Sequence, residues 1–259
     1  MKEKMVSLIR NTNVLFYLSF VGIILFWILT SIYGWVDDLF VPYIWQFKDA
    51  VVKLFLERNF SFDIGVSIFR VLGAWTLSFI IAVPLALLMA SSRISYRLLS
   101  PYIDFFRYLP VPVLIPLLIL FFGIDETAKI ALLFIGTFFQ LVLLILDDLQ
   151  DIPDEYFDLS FTLKYNFFEI QKMKLLAIAP SLWNNSRITM GWAWTYLVIA
   201  ELIASQDGIG HMIKEAQRFS NTPEIYVGII TMGIIGLGTD FLWKFYFPKV
   251  FKYKNIKIK

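Results

Sequence analysis

The sequence predicts an all-α polytopic membrane protein with six transmembrane helices. Composition is the first reason: 58% of the 259 residues are hydrophobic and only 17% charged, whereas soluble domains run near 45–50% apolar and about 25% charged. Mean hydropathy is +0.69. Second, six segments reach the roughly 20 residues that cross about 30 Å of hydrocarbon as a helix. Third, 26 Phe, 12 Tyr and 8 Trp suit lipid-facing and interfacial positions, and a water-soluble core of this size could not hide them.

The elements follow in order. Lys2, Lys4 and Arg10 form a short basic head before the apolar run Val14–Tyr33. That run is too long for a signal h-region and no small-x-small cleavage site follows it, so it reads as a retained first span. Gly34 to Asp63 holds Trp35, Tyr43, Trp45, Phe47 and an amphipathic run around Ala50–Leu56, which predicts a short helix along the outer interface. The remaining spans are Gly65–Met89, Pro101–Phe122, Thr127–Leu146, Arg187–Ser205 and Ile225–Phe247. With both termini inside, fifteen Lys and Arg residues fall in inner segments and six in outer ones, which the positive-inside rule requires of that orientation. No repeat or soluble domain interrupts residues 1–259, which read as a single membrane domain.

Asp151 to Pro180, between the fourth and fifth spans, predicts two short amphipathic helices. Pro153 suits a first helical turn, and Asp151, Asp154 and Glu155 complement its positive end. Tyr156, Leu159, Leu163 and Phe167 repeat at helical spacing and form one apolar stripe. Asn166 with Glu169 three residues on is a capping box that starts the second helix, and Pro180 is expected to stop it before the next span. Such a pair either docks in a groove on a soluble partner or lies along the membrane as a linker.

Composition also excludes functions. With no cysteine and one histidine, His211, thiolate chemistry and histidine-rich metal sites are ruled out. A net charge of +2, with basic residues at span ends, does not point to nucleic acid. No nucleophile–base set is visible, so an intramembrane enzyme has no support. A secondary transporter would carry Asp, Glu or His chains within its spans, but here acids cluster in loops, with Glu201 the main exception.

A few intramembrane residues are candidates for function. Arg70 lies inside the second span and needs a wet cavity or a partner; it either attracts an anionic solute, or pairs with Glu201 or backbone carbonyls, or snorkels. Arg107, near the inner start of the third span, either contacts an anion or snorkels. Pro110, Pro112 and Pro116 break the hydrogen bonding of that span, which either lines a pathway or packs as a kinked helix. Glu201 closes an outer gate or locks the turn after it. Trp192, Trp194 and Tyr196 stack on a ring-bearing solute or pack within the protein. His211 lies outside the membrane, at a partner contact or in solvent.

The loop resembles the coupling loop of ABC importer permeases, E-A-A-x(3)-G with an I-x-L-P-type ending. The matching positions are Asp158-Leu159-Ser160, Lys164, and Ile178-Ala179-Pro180. Asp replaces Glu, Leu and Ser replace the alanines, and Lys164 stands where the family has glycine. From about residue 60 to 247 the likeness continues. Arg70-Val71-Leu72-Gly73, Phe105 to Pro110, Ile115 to Gly123, Ala193-Trp194, Ala200 to Ala204 and Gly208-Ile209-Gly210 resemble signatures of the nitrate, sulfonate, taurine and bicarbonate import group. This resemblance implies the type I (MetI-like) permease fold with both termini cytoplasmic. It implies a multi-pass subunit of the inner or plasma membrane, paired with a second permease copy, probed by a cytoplasmic ABC ATPase at the loop and served by an extracytoplasmic substrate-binding protein. The chain has no G-x(4)-G-K-[ST] phosphate loop, so no cofactor is expected on it and ATP is expected on the partner. The implied solute is a small anion, with flat heterocycles such as thiamine precursors or riboflavin as the alternative within the same class.

Overall fold

The computed structural model describes residues 2–252, with side chains from Tyr17 onward except that of Ala204. The lysines at 254, 257 and 259, and the side chains of Lys2, Lys4 and Arg10, all counted in the charge argument, lie outside the described set. Every regular element among the described residues is helical. In order they are α1 (Lys2–Tyr33), α2 (Ile44–Leu56), α3 (Phe60–Ser91), α4 (Arg93–Tyr108), a 3-10 turn (Val111–Leu114), α5 (Ile115–Phe122), α6 (Glu126–Gln150), α7 (Asp154–Thr162), α8 (Phe167–Ala204), α9 (Ile209–Arg218) and α10 (Thr222–Val250).

Three of these helices, α3, α6 and α10, are long and apolar enough to cross a membrane. A fourth crossing is added if α4 and the 3-10/α5 segment count as one span bent by 97°. The bend falls where proline removes amide donors: Pro110 caps the 3-10 turn and Pro116 sits in the first turn of α5. The described apolar part of α1, Tyr17–Tyr33, is shorter. α8 is 38 residues long, but Asn184, Asn185, Arg187, Thr189, Thr195 and Glu201 dilute its apolar content. Of the six crossings expected, length and composition therefore support three or four.

Two expectations about the loop are corrected. Pro180 does not end the second helix, because α8 continues through it as one rod. The proline removes one amide donor, yet it is buried against the body, and packing holds such helices together where an isolated one would break. The stripe from Tyr156 does not reach Phe167 on one helix either, since α7 stops at Thr162 and Phe167 opens α8.

The chain divides into two compact units, one of residues 1–60 and 212–230, the other of 61–211 and 231–259. In the first, Trp27 Nε1 donates to the Pro42 carbonyl at 3.0 Å and its ring stacks on Tyr226. The buried Glu224 pairs with Lys53 at 3.2 Å and Arg58 at 3.3 Å. The amphipathic α2, which the sequence placed around Ala50–Leu56, buries Ala50 and Leu54 here.

The second unit is built on α6 packed extensively against α8. Gly136 makes that approach possible, since a Cβ there would lie 2.5 Å from the Tyr196 ring. Two apolar clusters fill the unit. One gathers Val71, Val111, Ile115, Leu133, Met190, Trp194 and Leu197. The other gathers Ala82, Met89, Ile103, Leu141, Ile145, Ile152 and Ile178. Short polar bonds cross between helices within this packing: Ser78 with Thr137 at 2.7 Å, Trp75 Nε1 to Thr189 at 3.1 Å, and Asn185 to Asp148 at 2.7 Å. The Ser78–Thr137 bond is buried and satisfies both hydroxyls, as burial requires, and the other two are partly buried.

Candidate functional site

Two places in the second unit combine chemistry with position, and α8 carries both. The first is the loop. α7 ends in a Schellman turn, with Tyr165 N–H donating to the Ser160 carbonyl at 2.9 Å and Lys164 N–H to that of Phe161 at 3.1 Å. Lys164 sits at φ +54°. It occupies the left-handed position that glycine fills most easily, at a cost of about 1 kcal/mol. The turn survives the substitution. Asn166 and Glu169 then form the expected capping box, Glu169 N–H to Asn166 Oδ1 at 3.0 Å and Asn166 N–H to Glu169 Oε2 at 2.7 Å.

The loop is anchored to the body on its inner side. Ile152 and Ile178 are buried in the second apolar cluster, with Phe157 packed against it. Lys174 Nζ donates to Ser91 Oγ at 3.0 Å, and burial pushes its ammonium pKa down. Ser160 is buried and its hydroxyl donates to the Phe157 carbonyl at 2.7 Å. Asp158 and Leu159 face outward, and so do Phe161 at 87% and Phe168 at 80% exposure. Between α7 and the start of α8 lies a cavity of about 800 Å³, lined by Tyr156, Leu159, Tyr165, Met173, Leu176 and Pro180 among others. Four of the five loop residues singled out in the sequence therefore face outward or line this cavity, and the fifth, Ser160, is buried with its hydroxyl bonded within α7.

The second place is an ion cluster centred on Arg70, which is fully buried. Its Nε and Nη2 form a fork on Glu126, both bonds 2.6 Å. Nη1 donates to Glu201 Oε1 and to the Asp207 carbonyl, both at 2.7 Å. Glu201, also fully buried, accepts from Ser67 Oγ at 2.8 Å and from Gly210 N–H at 2.8 Å. Lys129 Nζ completes the set on Glu126 at 2.7 Å. Two cations thus face two carboxylates, the condition under which buried charge is tolerated.

The glycines of the Gly208-Ile209-Gly210 segment are explained by this cluster. Gly208 has φ +108°, and a Cβ there would lie 2.6 Å from Arg70 Nη1. A Cβ on Gly210 would lie 2.6 Å from Glu201 Cβ. Arg70 and Glu201 are brought together as pairing partners. Glu126 was missed in the sequence reading; its one signal was a carboxylate on the first residue of α6.

The other candidates lie apart. Arg107 is half-buried, pairs with Asp104 at 3.2 Å and donates to Tyr108 Oη at 2.9 Å. Trp194 is packed in the first apolar cluster. His211 is half-buried on α9. Among the described residues no group of three or more His, Asp and Glu could hold a metal ion.

Arg70→Met strands Glu201 without its cation and is expected to destabilise the purified protein by about 3–5 kcal/mol, read as a large fall in thermal unfolding temperature. An unchanged melt would contradict the cluster. Lys164→Gly relieves the left-handed strain and is expected to stabilise by about 1 kcal/mol, a small rise in the same melt; a fall would mean the lysine side chain holds the turn.

Residues 82–252 match the family model described as binding-protein-dependent transport system inner membrane component. A probable ABC transporter permease protein of Brucella melitensis biotype 1 is 33% identical over 193 residues, 74% of this chain and 78% of that protein. The putative aliphatic sulfonates transport permease protein SsuC of Bacillus subtilis is 28% identical over 246 residues, covering 86% and 89% respectively. Among solved structures, a chain of the inward-facing MetNI methionine ABC transporter shares the fold with a TM-score of 0.65 at 18% identity, over 74% of this chain and 95% of that one. The all-helical architecture and the matched stretch agree: this chain belongs to the family of binding-protein-dependent transport system inner membrane components, as an ABC importer permease seated in the membrane.

Proposed function

We propose that this permease carries a small anion, such as a sulfonate, nitrate or bicarbonate, delivered by an extracytoplasmic binding protein and driven by ATP spent on a cytoplasmic ATPase. The observation that carries the energetic half is the α7–α8 surface. Large apolar side chains there, Phe161 and Phe168 among them, sit exposed beside charged ones, which supports a docking site for a soluble partner. The likeness to a sulfonate permease over most of the chain supports the anion. Two copies of the chain form the pathway in this reading, and ATP binds only the partner subunit.

Arg70 plays no part in attracting the solute in this account, because its fork and its remaining Nη1 are taken up by Glu126, Glu201 and a carbonyl. It locks the outer ends of three helices. Motion begins at the loop: nucleotide binding moves α7 as a rigid body, and α8 carries the displacement through the membrane. In this reading the bend at Pro110–Pro116 supplies non-helical backbone for a pathway wall, and Arg107 stands just before it at the end of α4.

The test uses proteoliposomes holding the permease with its ATPase and binding protein. Leu159→Asp places a charge in the apolar docking face and is expected to lower ATP-driven uptake at least about tenfold, with the melt unchanged. Full uptake by that variant, or uptake by the permease alone under an ion gradient, would sink the reading.

A further inference from the structure

α8 and α10 share a second charged cluster, within the second unit and at the middle of α8. Arg187 Nε pairs with Asp240 Oδ1 at 3.1 Å, and Lys244 Nζ pairs with Asp240 Oδ2 at 2.6 Å. One carboxylate holds two cations side by side, so the cluster keeps one positive charge in excess. The cations flank a cavity of about 130 Å³ lined also by Trp183, Asn184, Trp243 and Phe247. Trp183 Nε1 donates to the Trp243 carbonyl at 3.0 Å, which fixes one indole wall.

Position supplies the second observation. Arg187 opens the apolar part of α8, and Lys244 lies one to two turns before the end of α10, with Lys249 beyond it. Trp and basic residues at such ends mark the headgroup level of the cytoplasmic leaflet. On α10 beside the cavity, Phe241, Leu242 and Phe245 are exposed and suit an acyl chain. A free oxyanion would meet the same cations but would gain nothing from these rings.

We propose that this cavity binds the phosphate headgroup of an anionic phospholipid of the cytoplasmic leaflet. Arg187 and Lys244 take the phosphate oxygens, the two tryptophans wall the glycerol region, and the exposed α10 rings receive the chain. Asp240 sets the cations in place and limits their pull, so the site is selective for lipid charge without being saturated by it.

The test measures lipid binding to the full-length permease in detergent by native mass spectrometry, with phosphatidylglycerol and phosphatidylcholine titrated separately. Phosphatidylglycerol is expected to bind about fivefold more tightly or better, since each basic residue at the surface contributes about that factor. Lys244→Gln, which keeps the Arg187–Asp240 pair, is expected to lose about fivefold for phosphatidylglycerol alone. Asp240→Asn is expected to raise phosphatidylglycerol affinity, whereas a purely structural ion pair predicts no gain. Equal binding of the two lipids, an unaffected Lys244→Gln, no gain in Asp240→Asn, or displacement of the lipid by millimolar inorganic phosphate would each overturn the proposal.

Discussion

A buried arginine has to be matched by carboxylates, and the rest of this structure is arranged around that requirement. Arg70 lies about 15 Å along α3 from its start, and its side chain is fully enclosed by protein, so its guanidinium needs protein partners in place of water. Glu126 and Glu201 meet it from the starts and ends of two other helices, and the backbone after α8 bends back to add a carbonyl and an amide. Glycines at 208 and 210 are needed because the carboxylate and guanidinium occupy the space a side chain would fill. The start of α6, the first third of α3 and the end of α8 are therefore pinned together, α3 and α6 running one way and α8 the other.

The opposite end of α8 carries the loop. One helix thus links a surface facing the cytoplasm to the ion cluster some 34 residues away, roughly 51 Å at the helical rise. Its inner part is held by Lys174 on Ser91 and by Ile178 in the second apolar cluster. Its middle packs on α6 through the gap left by Gly136. A helix held at both ends and along one face would move as a rod in the proposed mechanism, carrying a push at α7 to the ion cluster. This is why Pro180 matters: it sits between the driven end and the pinned end, and it is the one place where the rod is short of a hydrogen bond.

Much of this was legible from residues alone. Helical class, the three long apolar helices α3, α6 and α10, the capping box of Asn166 and Glu169 and the broken third span follow from length, period and proline, which are local properties. Pairing of Arg70 with Glu201 was one of two open readings, because an intramembrane arginine requires a partner but does not name it. Glu126 escaped notice since it lies at a helix start, where a carboxylate is ordinary and its partner is 56 residues away. The continuity of α8 was misread because a proline is a local stop signal, and only tertiary packing overrides it. Lys164 reveals the reverse case: it stands where the resemblance has glycine, and the backbone still takes the left-handed corner that glycine favours.

Whether α8 behaves as one rod is the point on which the mechanism turns. The chain has no native cysteine, so nitroxides can be placed singly at Phe168→Cys and Ile203→Cys. Their separation is then read by double electron–electron resonance in the assembled transporter, without nucleotide and with ATP. The account predicts a distance of about 52 Å that stays the same within about 2 Å in both states. A shortening by a full helical turn, about 5 Å, would place a hinge at Pro180 and contradict it.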